Sequence, residues 1–148
     1  LMLKVEFICI ANYCRSPAAE KIFNSLSLNT ISATSSGINP IDKVQMDPRS
    51  SKFLRLKKIT DNFHTPTKIN AKKIKECDYL ICFELDILLR LQKEFPKSSH
   101  KFKIYSYHMP NLVVKDPYKA KNIEDYNNQL ENLYIIVQDW HNRLSKDV

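Results

Sequence analysis

The apolar run Leu3 to Ile8 leads directly into Cys9-Ile10-Ala11-Asn12-Tyr13-Cys14-Arg15-Ser16-Pro17, and the chain continues as Ala18-Ala19-Glu20-Lys21-Ile22-Phe23. The run has the length and composition of a buried strand. Ser16 and Pro17 then read as a helix start, serine at the N-cap and proline at the first helical position, where a missing N–H removes no hydrogen bond. A strand that turns within a few residues into a helix is the building unit of α/β proteins, and its turn is where they hold anions.

Five residues separate Cys9 from Arg15. A loop that short can curl until its backbone N–H groups converge on one point, at which the following helix also aims its unpaired N–H groups and positive dipole end. Cys9 stands at the base of this cup, where converging dipoles favour the thiolate, a nucleophile at neutral pH. Arg15 closes the ring with a planar fork that pairs two oxygens of a bound oxyanion at once, as lysine cannot. A cysteine at the end of an apolar strand is more often plain core. The preceding strand, the cap after Arg15, and Asn12, which tolerates the left-handed backbone a tight loop needs, favour the anion-binding reading.

The 148 residues, 43% of them hydrophobic, suffice for one domain with a real core, expected over residues 1–148. No apolar run is long enough to span a membrane. Lys4 and Glu6 interrupt the first strand, and no small-residue cleavage site follows, so an export signal is not expected; Leu1 ahead of Met2 reads as an addition. Four cysteines in a core-rich chain point to free thiols in a reducing, cytoplasmic setting. Cys9/Cys14 and Cys77/Cys82 are spaced too widely for zinc pairs, so no metal or other cofactor is expected. The net charge of +7 suits phosphoproteins, nucleic acids and acidic membranes alike. Its lysines are scattered without aromatic interleaving, which reads as a solvated surface and not as a nucleic-acid patch.

Along the chain, Thr30 to Ser36 has strand composition and ends at Gly37, the single glycine, where a positive φ is expected. Ile38 to Met46 reads as loop. Asp47 caps a helix that starts at Pro48 and runs to about Lys58, with Phe53, Leu54 and Leu56 on its apolar side. Thr60 to Asn70 reads as loop, Asn70 to Glu76 as one or two helical turns, Asp78 to Glu84 as a buried strand, and Leu85 to Phe95 as a helix stopped by Pro96. Lys103 to Tyr107 is a shorter, more polar strand suited to a sheet edge. After a loop over Val113 to Tyr118, a helix from Ile123 to Leu144 carries Tyr126, Leu130, Leu133, Tyr134, Val137, Trp140 and Leu144 on one face. Alternating strands and helices imply a parallel sheet covered by helices on both faces.

The string from Phe7 to Glu20 resembles the N-terminal signature of the low-molecular-weight protein tyrosine phosphatases. Asp47-Pro48-Arg49, Asp78 to Glu84 and Asp116-Pro117-Tyr118 match further motifs of that family. The resemblance implies a four-stranded parallel sheet of order 2-1-3-4. It also implies hydrolysis of phosphotyrosine in proteins through a phosphocysteine: Cys9 the nucleophile, Arg15 the phosphate clamp, and Asp116 the general acid and then base. Ile10, Ala11, Asn12, Tyr13, Cys14, Arg15 and Ser16 would bind phosphate or a similar oxyanion, with Ser16 donating to the thiolate and Asn12 bracing the loop. Ile10, Tyr13, Ile41 and Tyr118 would form the rim, and Cys9 with Cys14 a reversible redox pair.

Three departures stand out. Ala11 replaces the usual glycine; the aromatic wall expected near Pro40 and Ile41 is missing; and Thr67 to Asn70 replaces an arginine-rich segment. Relatives acting on phosphoarginine carry a threonine where this chain has Tyr13. Two alternatives remain: a phosphotyrosine-binding module without turnover, and a thioredoxin-coupled arsenate reductase that would use Cys77 and Cys82 as relay thiols.

Overall fold

The computed structural model describes residues 2–26 and 29–148; Leu1 lies outside them. Four parallel strands, β1 (Leu3–Cys9), β2 (Ile31–Gly37), β3 (Tyr79–Cys82) and β4 (Phe102–Ile104), form one sheet in the order β2-β1-β3-β4. The helices are α1 (Arg15–Ser25), α2 (Pro48–Leu56), α3 (Ala71–Glu76), α4 (Leu85–Glu94) and α5 (Ile123–Ser145). This is the single α/β domain expected from the alternating pattern. β4 is a short edge strand.

Strand alternation divides the core in two. Val5 and Phe7 of β1, Ile31 and Ala33 of β2 and Ile81 of β3 face α1, α2 and α5. Ile8, Leu80, Cys82 and Phe102 face α3 and α4. The apolar stripe foreseen on α5 packs into the first layer, with Tyr134 partly covered and Ile136 added to it. On the second side, the fully buried Glu6 is accommodated by the Lys73 ammonium, 3.3 Å from Oε2, and by the Thr34 hydroxyl.

Several boundaries differ from expectation for local reasons. α1 opens at Arg15 with Cys14 at the N-cap, so Ser16 is not the cap; its hydroxyl is occupied by Cys9 and Asn12. Gly37 has no positive φ. It is needed because a Cβ there would lie 2.6 Å from the Ile10 carbonyl and 2.8 Å from the Asn12 nitrogen, inside the loop backbone. α2 ends at Leu56, which is 72% exposed and contributes nothing to the apolar side, whereas Phe53 and Leu54 are buried. β3 and β4 are shorter than the apolar runs around them, and a 3-10 segment, Pro96–Lys101, follows α4. The stretch between α2 and α3 is not free loop: Lys68 bridges to Gly37, and His64 and Ile69 are buried.

Candidate active site

The chain order reverses between β1 and β3, and a crevice opens beyond the C-terminal ends of these two strands, the place where open α/β sheets bind ligands. There Cys9, Ile10, Ala11, Tyr13, Cys14 and Arg15 form one wall of a cleft of about 310 Å³, and Ile41, Asp116, Tyr118 and Lys119 complete it. The structure thus brings Cys9, Arg15 and Asp116 to a single cavity from opposite ends of the sequence. Asn12 and Ser16 are buried behind the wall, their side chains committed to the loop itself.

That loop is held from behind by polar groups. Asn12 takes φ 53°, the left-handed backbone its side chain tolerates. Its Nδ2 donates to Ser16 Oγ at 2.8 Å and to Ser35 Oγ at 3.1 Å, while its Oδ1 accepts from the Thr67 amide at 2.9 Å. Ser35 donates onward to Glu20 at 2.7 Å. His64 Nε2 donates to the Asn12 carbonyl at 2.8 Å, which fixes the imidazole tautomer. Burial pushes the His64 pKa below its ordinary value of 6.5. Ser16 Oγ lies 2.9 Å from Cys9 Sγ, in position to donate to a thiolate.

Arg15 is 3% exposed. Its Nη2 pairs with Glu84 Oε1 at 2.8 Å and its Nη1 reaches the Phe83 carbonyl at 3.4 Å. These two contacts anchor the guanidinium by part of its edge and leave its remaining N–H groups available to an anion. Glu84 escapes sequence reasoning as a functional residue, although it is the first charged residue after an apolar strand at the switch point.

The far side of the loop leans on α2 and α5. Asp47 caps α2 through the Arg49 amide at 2.9 Å and donates its own amide to the Tyr13 carbonyl at 2.9 Å. Burial acts to raise the Asp47 pKa, but the Arg49 hydrogen bonds outweigh it and hold the carboxylate below its usual range. Cys14 Sγ lies 3.7 Å from Asp47 Oδ2, and burial, reinforced by that carboxylate, pushes its thiol up to about 12. Ser50 Oγ donates to the Cys14 carbonyl at 3.0 Å and contacts the Tyr126 hydroxyl at 2.6 Å. Arg49 stacks over Tyr126 at 4.2 Å and stands 5.9 Å from the Tyr118 ring, which meets Tyr13 edge-on at 6.2 Å. Asp47, identified from sequence only as a cap, therefore ties helix, loop and rim together.

The Asp116 loop is fixed just as firmly. The Val114 amide donates to the Tyr105 hydroxyl at 3.1 Å, the Lys115 amide to Gln129 at 2.8 Å, and Asn132 Nδ2 to the Val113 carbonyl at 3.0 Å. Asp116 Oδ1 accepts from the Tyr118 amide at 3.1 Å, leaving its other oxygen for chemistry. Among the described residues, no three His, Cys, Asp or Glu side chains converge as metal ligands, and no helix is long and apolar enough to cross a membrane.

Comparison with known proteins places this geometry in a family. Residues 4–148 match the family model described as low molecular weight phosphotyrosine protein phosphatase. The low molecular weight protein-tyrosine-phosphatase YfkJ of Bacillus subtilis is 28% identical over 139 residues, covering 84% of this chain and 86% of the relative. The tyrosine phosphatase Wzb of Escherichia coli K30, solved with sulphate, superposes with a TM-score of 0.86 at 19% identity, over 97% of this chain and 99% of that one. The YwlE arginine phosphatase of Geobacillus stearothermophilus superposes with a TM-score of 0.87 at 18% identity, over 98% and 94%. The last two likenesses speak to the fold alone. With a family model covering almost the whole chain and a cysteine-arginine-aspartate cleft at its sheet switch point, this protein belongs to the low-molecular-weight phosphotyrosine protein phosphatases.

Proposed function

We propose that this chain, acting as one catalytic domain, hydrolyses phosphotyrosine in proteins through a phosphocysteine intermediate. The observation that carries the reading is the meeting of Cys9, Arg15 and Asp116 in one cleft. The Cys9 thiolate, accepting a hydrogen bond from Ser16, attacks phosphorus in line with the phenolic oxygen. As the S–P bond forms and the P–O bond breaks, Asp116 gives its proton to the leaving phenolate. Asp116, now a carboxylate, takes a proton from water as that water attacks phosphorus; the S–P bond breaks, and phosphate and the thiolate are released. In both steps Arg15 and the loop N–H groups stabilise charge on the equatorial oxygens.

The cleft walls support an aryl ester as substrate. Tyr13 and Tyr118 present ring surfaces to a phenol, and a short phosphoserine would leave them uncovered. The bulk of Tyr13, where phosphoarginine-specific relatives carry threonine, favours phosphotyrosine. A relay role for Cys77 and Cys82 is disfavoured: both are buried, and burial raises both thiol pKa values, that of Cys77 to about 11. A cytoplasmic, reducing setting suits a mechanism that needs a free Cys9 thiolate.

The test is phosphate release from a small aryl phosphate and a phosphotyrosine peptide in the presence of a chelator. The unmodified chain turns over both, Cys9→Ser neither, and Asp116→Ala the peptide at a rate lower by about a hundredfold or more. Tight peptide binding by the unmodified chain without any turnover would instead establish a binding module.

A further inference from the structure

A second groove, of about 610 Å³, opens beside the catalytic cleft and shares Asp116 with it as a common wall. Leu85 at the start of α4, Ile104 at the end of β4, and Val113 and Lys115 from the Asp116 loop line it. Leu85 and Val113 are 58% and 50% exposed, although the next apolar residues along their segments, Ile87 and Val114, are buried. Apolar surface is therefore left open here where neighbouring positions supply the core. The groove is preformed, because Tyr105, Gln129 and Asn132 hold the 113–115 backbone. Glu84, also on its wall, does not repel an anion strongly, because its carboxylate is paired with Arg15 at 2.8 Å.

We infer that this groove receives the polypeptide flanking the phosphotyrosine, with an apolar side chain between Leu85 and Val113 and an acidic one against Lys115. The inference rests on the phosphatase reading above and specifies the substrate class it implies. An extended chain advances about 3.3 Å per residue with side chains on alternate sides, so a groove sharing a wall with the cleft falls to residues near the phosphotyrosine. Rigid walls seat such residues without first being ordered themselves, so the contact adds to affinity. A free aryl phosphate does not extend into the groove and is indifferent to it.

Two phosphotyrosine peptides test the inference, one with leucine and glutamate on both sides of the phosphotyrosine and one with alanine and lysine at the same positions. Binding is measured on Cys9→Ser, and turnover of p-nitrophenyl phosphate on the chain with Cys9 intact. The Leu/Glu peptide is expected to bind about tenfold or more tightly than the Ala/Lys peptide, and that preference to shrink to about threefold or less when Leu85→Glu and Val113→Glu are added. Lys115→Glu is expected to reduce the preference for the Leu/Glu peptide without abolishing it, because the apolar contact with Leu85 and Val113 remains. Leu85→Glu alone, outside the lining of the catalytic cleft, leaves p-nitrophenyl phosphate turnover unchanged. Equal binding of the two peptides, binding of neither, or a preference that survives Leu85→Glu and Val113→Glu overturns the inference. A groove-dependent preference in a chain that turns over no phosphate ester would instead remove the phosphatase reading and leave a peptide site.

Discussion

Arg15 Nη2 meets Glu84 Oε1 at 2.8 Å, so the arginine of the loop is aimed from the C-terminal end of β3 and not from its own helix. The pair joins the two strands that flank the switch point. Replacing Glu84 by glutamine keeps the shape and removes the charge. The buried guanidinium then keeps a neutral amide acceptor and the Phe83 carbonyl at 3.4 Å, but loses its ionic partner. Turnover of an aryl phosphate is expected to fall by about tenfold or more through misaligned binding. Stability should drop by about 1–2 kcal/mol, a figure kept modest because Glu84 is partly solvated. Steady-state kinetics and urea unfolding of Glu84→Gln check both.

Asn12 combines a left-handed backbone with a side chain bonded to Ser16, Ser35 and the Thr67 amide. Asn12→Gly and Asn12→Ala lose the same side-chain bonds, but only alanine strains the backbone. Alanine is expected to be the less stable of the two by about 1 kcal/mol. Both should lose most activity, because the hydroxyl that faces Cys9 is no longer oriented. Equal stabilities by urea unfolding would contradict the role assigned to the backbone.

Gly37→Ala tests the close approach of β2 to the loop. The new Cβ would meet the Ile10 carbonyl carbon-to-oxygen at 2.6 Å, against backbone that cannot swing aside as a side chain can. A loss of about 1–3 kcal/mol is expected. Weaker binding of inorganic phosphate should accompany it, since the displaced atoms belong to the anion cup. Unfolding and phosphate titration of the variant measure the two effects.

The pH dependence follows from the buried groups. His64 and His141 are held neutral by burial, their pKa values below 6.5. The unfolded chain therefore takes up protons first as pH falls through 6.5, and stability declines from there downward until the folded imidazoles also protonate. His64→Gln should flatten that slope. Asp47 acts lower: its contribution is present above 3.8 and is lost as pH falls further, through its depressed folded value. On the alkaline side, Cys14 at about 12 and Cys77 at about 11 stay protonated when folded, against 9.0 unfolded, so stability falls as pH rises above 9.0. Urea midpoints across the acid and alkaline ranges trace these limbs.

Where local chemistry decides, the sequence is readable. The strand before Cys9, the Asp47-Pro48 helix start and the apolar stripe of α5 all follow from side-chain pattern alone. Ser16 reads both as a cap and as a donor to Cys9, two roles that require the same hydroxyl; the fold puts Cys14 at the N-cap and the Ser16 hydroxyl 2.9 Å from Cys9 Sγ. Gly37 reads from sequence as a site of backbone freedom, whereas the constraint is the space beside Ile10 and Asn12, which belongs to another segment. Glu84, His64 and Tyr126 act across 69, 52 and 76 residues of chain respectively, on Arg15, Asn12 and Ser50, and no short motif encodes those meetings.

The central claim is that Cys9 carries the phosphoryl group between the two steps. The direct test is to mix Asp116→Ala with a phosphotyrosine peptide, quench in acid within the first turnover, and locate phosphate on the proteolysed chain by mass spectrometry. The account predicts a phosphoryl group on the fragment containing Cys9, absent when Cys9→Ser is added. Peptide dephosphorylated by the Cys9-containing chain with no phosphoryl group ever found on Cys9, or turnover that survives Cys9→Ser, would contradict it.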